Sequence, residues 1–279
     1  MPDQDVFVVK SDGSQERFSF SKLKESLRRS GAGEALADEI STHIEKEVVN
    51  GMTTGDIYRH AFSVLHSKER GVAVRYSLRR SLLALGPTGF PFEKFVGELY
   101  RRKGFSILLD QTVLGKCVDH EIDLVAWNDS KLLMAEAKYH HDLAYKSDVK
   151  VVLYVKARFD DLFAASFNFG NRKKLDEGWL ITNTKFTDKA IKYAACTGVR
   201  LLGWNYPATA NLHHLIEEVG LHPITCLTTL SDGQKRLLME QGIVLCESIS
   251  KEGAKLRELG LNDRLIEEVE AESSVLCPM

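Results

Sequence analysis

Residues 120–141, HEIDLVAWNDSKLLMAEAKYHH, leave this chain little freedom. Two apolar, β-prone runs, residues 121–127 and 132–139, flank the polar tetrad Asn128-Asp129-Ser130-Lys131. That is the pattern of a β-hairpin. With Asp129 and Ser130 as a two-residue turn, Asn128 pairs with Lys131, Leu124 falls opposite Ala135, and Asp123 falls opposite Glu136. Directly opposed residues have Cβ atoms about 4.5–5.5 Å apart. Two carboxylates that close repel each other unless a cation lies between them. Lys138, two residues beyond Glu136, projects from the same face. Two acids and a lysine at the polar end of an otherwise apolar hairpin can hold Mg²⁺ beside a phosphodiester. The competing reading is a solvated strand end, with Glu121 opposite Lys138 as a plain cross-strand ion pair.

The chain around this hairpin has 279 residues, enough for more than one domain, and 44% are hydrophobic. No apolar run approaches the roughly 20 residues that cross a bilayer. The first residues, MPDQDVFVVK, are acidic before a short apolar run, unlike a signal peptide. The net charge of −2 argues against a strongly basic, histone-like binder. Basic residues nevertheless cluster at Arg79-Arg80, Arg101-Arg102-Lys103 and Arg172-Lys173-Lys174. Five scattered cysteines with no C-x-x-C pair speak against a disulfide framework or a zinc ribbon and for a cytoplasmic location.

Three segments separate by pattern: residues 1–86, 87–206 and 207–279. The first reads as a strand over 6–10, a turn at Ser11-Asp12-Gly13-Ser14 and a return strand over 16–20. Four helices follow: one capped by Ser21 and ended by Gly31 and Gly33, one through Ile40, Ile44 and Val48, one capped by Thr53-Thr54, and one through VAVRYSLRRSLLAL. Gly86-Pro87-Thr88-Gly89-Phe90-Pro91 is a breaker cluster and the expected hinge. The second segment predicts a helix over 91–104, an edge strand over 105–110, the hairpin, a helix over 151–165, a strand over 179–184, a helix over 185–198 and a strand over 199–204. Strand–helix–strand at this length implies a parallel pair with a right-handed crossover, so the sheet is mixed. The third segment is nearly all helix, with glycines between short amphipathic stretches. The fold class is α/β: a mostly helical front, a mixed-sheet α/β middle and a small helical extension.

The order of FEKFVGELYRRKGF, the aspartate of EIDLVA, the E-A-K of MAEAKY, and GWLITNTKFTDKAIKYAACTGVRLLGW resembles the Mrr-like restriction endonucleases of the PD-(D/E)xK superfamily. The resemblance covers residues 90–206. It implies that Asp123 and Glu136 are metal ligands, Lys138 the catalytic lysine and Glu93 a supporting acid. Read without the family, Glu93 is a first-turn glutamate favoured by the helix dipole. This chain departs from the family in carrying KCVDHEID where glycines often precede the aspartate. It keeps glutamate at position 136 where glutamine is common, which adds a hard anionic ligand suited to Mg²⁺ or Mn²⁺.

Residues 6–85 resemble an ATP cone, through VVKSDGSQERFSFSKL, TTGDIYRHAFSVL and the pair Arg75-Tyr76. That resemblance implies Lys10, Lys22 and Thr54 at a bound nucleotide, with Arg17 a further candidate, and ATP or dATP as effector. Ser11 stands where the family commonly carries arginine, which removes a bidentate phosphate partner.

These readings converge on metal-assisted hydrolysis of DNA. Arg101, Arg102 and Lys103 at the end of one helix, and Lys146 and Lys150 near the start of another, are the candidates for binding phosphates. Cutting both strands requires two sites, so a homodimer is expected. The alternative is a non-cleaving, nucleotide-sensing DNA-binding or regulatory protein with an inactive nuclease-like fold.

Overall fold

A computed structural model describes residues 6–10 and 13–276 of the chain. Ser11 and Asp12, assigned to the first turn, lie outside the described residues. The chain divides into two compact units, residues 1–80 and 81–279.

The first unit opens with β1 (Phe7–Val9) and β2 (Gln15–Arg17), paired antiparallel. Gly13 sits in the turn at φ 78°, a conformation that costs glycine nothing. Helices α1 (Phe20–Arg29), α2 (Glu34–Glu47), α3 (Thr54–Lys68) and α4 (Arg70–Leu83) follow. The cap of α1 is Ser19, not Ser21: Ser19 has extended backbone and its side chain accepts the Lys22 amide. The helix therefore begins one residue before the Ser21 that was expected to cap it. Thr53 caps α3 in a reciprocal box with Asp56, each side chain accepting the other's backbone N–H, at 3.0 and 3.1 Å. Apolar residues at helical spacing (Leu23 and Leu27, Ile40 and Ile44, Ile57, Ala61 and Leu65) meet Val8 in one core.

The second unit is built on α5 (Phe90–Arg102) and a five-stranded sheet. Its strands are β3 (Ser106–Leu114), β4 (Asp119–Trp127), β5 (Leu132–Lys138), β7 (Glu177–Thr182) and β9 (Arg200–Leu202), in the order β3-β4-β5-β7-β9. Strands β3, β4 and β5 run antiparallel; β5, β7 and β9 run parallel. The sheet is thus mixed, as strand–helix–strand spacing required. Helix α6 (Val149–Phe163), capped by Asp148, lies between β5 and β7, and α7 (Asp188–Thr197), capped by Thr187, lies between β7 and β9. The two-residue strands β6 (Lys146–Ser147) and β8 (Lys185–Phe186) form a separate parallel pair. Residues 185 and 186, expected in the helix, therefore belong to a strand, because Thr187 supplies the cap. Val125, Met134, Val152, Val155, Phe159 and Leu180 anchor the core between sheet and helices.

The C-terminal helices are α8 (Leu212–Val219), α9 (Asp232–Glu240), α10 (Gly253–Glu258) and α11 (Asp263–Leu276), with 3₁₀ turns before α9 and α10. Two segments of this region join through the Ile224 amide on the Val244 carbonyl and the Cys246 amide on the His222 carbonyl, both 2.9 Å. The Glu272 carboxylate is buried against the backbone amides of Thr228 and Thr229. Among the described residues Cys117, Cys196, Cys226 and Cys246 form no disulfide. Among the described residues no helix is long and apolar enough to cross a membrane.

Candidate active site

The β4–β5 hairpin adopts the expected register. Asn128 donates its amide to the Lys131 carbonyl, Trp127 faces Leu132, and Leu124 faces Ala135. The ladder ends there. One step on, the Asp123 carboxylate accepts the Ala137 amide at 2.7 Å. A side chain thus replaces the ladder, and β5 continues beside β7, with Glu136 opposite Leu180 and Lys138 opposite Thr182.

The same level is open on the other side of β4. Leu109 pairs with Leu124 and Gln111 with Ile122, but the rung between, Asp110 opposite Asp123, is skipped. Asp110 takes a left-handed φ of 51°, uncommon for a residue with a side chain. Three acids on neighbouring strands, Asp110, Asp123 and Glu136, therefore share one level of the sheet where regular pairing stops.

Glu136 is the buried member, 4% exposed. One of its oxygens pairs with Lys138 Nζ at 2.6 Å and the other with the Arg158 guanidinium. Burying a carboxylate is tolerable only when its charge is met in this way. Arg158 also donates to the Glu121 carbonyl at 2.8 Å and to the Tyr154 hydroxyl at 2.6 Å. Helix α6 is fixed for this contact one turn later. Asp161 accepts the Cys117 amide at 2.8 Å and lies 2.9 Å from the His120 ring. The His120 ring and the amides of Cys117 and Val118 hold the Asp161 carboxyl well below its usual range. Gly115 makes this approach possible, since a Cβ there would lie 2.1 Å from Asp161 Oδ2.

Glu93, in the first turn of α5, is half-buried, and its Oε1 occupies space that a side chain on Gly89 would fill. Burial, then the charges of Asp123, Asp110 and Glu136, push its pKa up to about 7. Burial, then the charge of Glu136, raises Asp123 to about 6, against the hydrogen bond from Ala137. Negative charge in excess of its local partners is what a divalent cation neutralises, and carboxylate oxygens are the hard donors that Mg²⁺ and Mn²⁺ select. The donor set fits such an ion. The oxygens of Glu93, Asp123 and Glu136 do not all lie within 4.8 Å of one another, with Glu136 drawn to Lys138 and Arg158.

Asp110 and Arg158 are site residues that the sequence reading missed. Asp110 could have been found by extending the hairpin logic to β3. Arg158 carries one signal: a cation beside the buried stripe Val155, Phe159 and Leu162.

The basic residues scatter. Arg101 pairs with Glu98 in its own helix at 3.0 Å. Arg102 pairs with Glu247, and Lys103 with Glu218 at 3.1 Å, so both reach the C-terminal helices. Lys146 and Lys150 are exposed, flanking the cap of α6.

In the first unit, Lys10 and Lys22 do converge. Both face Glu16, at 2.8 and 3.4 Å. Thr54 begins α3 beside Thr53, which bridges Val9. Arg17 lies on β2, opposite Phe7.

Three family models match the chain. The ATP cone domain matches residues 6–83, a restriction endonuclease catalytic domain of the Mrr type matches 86–205, and the AF1548-like C-terminal domain matches 222–277. An uncharacterized protein of Archaeoglobus fulgidus is 36% identical over 179 residues, 64% of this chain and 97% of that protein. The crystal structure of AF1548, a protein of unknown function, is 34% identical with a TM-score of 0.55, covering 69% of this chain and all of that one.

Proposed function

This chain belongs to the AF1548-like family, with an ATP cone in front of an Mrr-type restriction endonuclease domain, and from that footing we propose that it is a Mg²⁺- or Mn²⁺-dependent DNA endonuclease whose phosphodiester hydrolysis is tuned by ATP or dATP. The observation that carries this reading is the level of the sheet where Asp123 abandons the ladder beside Glu136, with Lys138 paired to that same Glu136.

Asp123 and Glu136 would hold the ion. An ion held by them would supply Lewis acidity toward the phosphate and toward the attacking water. Of the two cations paired with Glu136, Lys138 is the more exposed, with 39% of its side chain accessible against 11% for Arg158. Released from Glu136, its ammonium is positioned to orient the attacking water or to stabilise charge developing on phosphorus. Arg158 stays behind as the resident counter-charge of Glu136. Glu93, on the helix side, lies within the field of Asp123 and would support the site as a further carboxylate. The cone would bind nucleotide phosphates through Lys10 and Lys22, with Thr54 and Arg17 alongside, Glu16 giving up both lysines as the nucleotide enters. Lys146 and Lys150, near the start of α6, would meet the DNA backbone together with the basic end of α5. Two copies of the chain would cut the two strands.

Nicking of supercoiled plasmid in Mg²⁺, with and without ATP and with EDTA as control, tests the proposal. Cleavage that needs the metal and changes with nucleotide is the expected result. Full-length protein that binds plasmid but leaves it intact in both Mg²⁺ and Mn²⁺ would sink the hydrolase reading.

A further inference from the structure

The first unit carries a second cluster of ligand-bearing side chains, unrelated to the acids of the sheet. His43 and Glu47 stand four residues apart on α2 and so share one face. His60 reaches them from α3. His43 Nε2 lies 3.1 Å from His60 Nε2 and 3.5 Å from Glu47 Oε1, while His60 Nδ1 lies 3.1 Å from Glu47 Oε2. Taking one ligand atom from each residue, all three atoms fall within 4.8 Å of one another. A tetrahedral ion with bonds of about 2.0–2.1 Å keeps its ligand atoms roughly 3.3 Å apart. The pairwise contacts above, 3.1 to 3.5 Å, bracket that spacing.

We propose that His43, Glu47 and His60 form a site for a divalent first-row transition ion, of the Zn²⁺, Co²⁺ or Ni²⁺ class, that staples α2 to α3. Two imidazoles and one carboxylate favour these ions over Mg²⁺, which selects oxygen. Neutral imidazoles with one carboxylate give the site a single negative charge, which a dication overcompensates. The His43 and His60 side chains are 45% and 35% exposed, so the ion has a route in and keeps open positions for water. The staple falls at a mechanically useful place. Glu47 is the last residue of α2, and the short connection to α3 is already tied to β1: the Gly51 amide binds the Phe7 carbonyl at 2.9 Å and the Val9 amide binds the Met52 carbonyl at 3.0 Å. An ion at this position would stiffen the segment leading to Thr53 and Thr54.

The test uses untagged full-length protein and Zn²⁺ or Co²⁺ as the probe. Calorimetry with Zn²⁺, and visible absorption with Co²⁺, are run on the parent, on His43→Ala, His60→Gln and Glu47→Gln, and on Asp123→Ala to separate this site from the sheet acids. One Zn²⁺ equivalent should persist in Asp123→Ala. It should weaken by more than about tenfold in each cone variant, since even outer partners of a metal ligand are worth 10–100-fold. Zn²⁺ should raise the melting temperature of the parent and not of the His60→Gln variant. If a histidine variant fails to fold, Glu47→Gln, an exposed isosteric change, decides. Unchanged Zn²⁺ affinity in the cone variants that fold, or loss of all Zn²⁺ binding in Asp123→Ala alone, would overturn the proposal.

Discussion

Asp123 serves Ala137 as a backbone carbonyl would: its carboxylate receives the Ala137 amide at 2.7 Å just beyond the last rung of the β4–β5 ladder. An asparagine can accept the same N–H but carries no charge. Asp123→Asn should therefore keep the fold, and its melting temperature should equal or exceed that of the parent, because repulsion with Glu136 is relieved. Plasmid nicking in Mg²⁺ should fall by about 10²-fold or more, as a lost metal ligand forfeits several kcal/mol of transition-state stabilisation. Asn-substituted protein that nicks at the parent rate removes Asp123 from the chemistry.

Arg158 is expected to matter first for stability. Its side chain and that of Glu136 are 11% and 5% exposed. Replacing Arg158 with methionine keeps the stem but strips one counter-charge from a buried carboxylate. Breaking such a pair costs about 3–5 kcal/mol, less here by whatever Lys138 still compensates. Urea unfolding measures it. The double variant Arg158→Met with Glu136→Gln should recover most of the loss, since no buried charge is then left behind.

The C-terminal helices should show a pH signature through Glu272. Burial pushes this carboxyl up, but the hydroxyls and amides of Thr228 and Thr229 outweigh burial and hold it below its ordinary value of 4.5. A lowered native pKa means that the unfolded chain binds more protons in acid. The contribution is therefore complete above about pH 4.5 and disappears as pH falls through the lower, native value. Glu272→Gln should cost about 1.5–3 kcal/mol at pH 7, the worth of hydrogen bonds to a charged acceptor. The difference from the parent should shrink in acid. Parallel stability curves for the two proteins from pH 7 to 3 would contradict this.

At the cone, Glu16 competes for the two lysines that a nucleotide would need. Lys10→Ala should weaken ATP and dATP binding in calorimetry. Glu16→Gln should strengthen it by up to about fivefold, the equivalent of the roughly 1 kcal/mol that exposed ion pairs reach. An absence of heat with both nucleotides in the parent would leave the first unit without this role.

The hairpin register was legible because it is local: a two-residue turn at Asp129-Ser130 fixes which residues face each other, and Leu124 opposite Ala135 follows. Helix existence was equally legible from apolar spacing and from the cap at Thr53, whereas the caps at Asp148 and Thr187 went unread, and with them the starts of two helices. Details that depend on backbone angle were not. Ser19 and Ser21 look alike as caps in a string of letters, and only the extended backbone at Ser19 separates them. The left-handed turn at Asp110, which opens the sheet opposite Asp123, has no signature in an apolar run. Long-range pairing was invisible for a different reason. Arg158 meets Glu136 from 22 residues away, and Arg102 meets Glu247 from 145 residues away. Nothing in RRKG or KARFDD names those partners.

That last contact changes the meaning of the basic run at the end of α5. Arg102 and Lys103 already hold acids from the C-terminal helices. A polyanion arriving there gains only the difference between its own phosphates and two resident carboxylates. Glu218 and Glu247 are thus rivals for any nucleic acid that settles on this corner, and gripping it begins with evicting them.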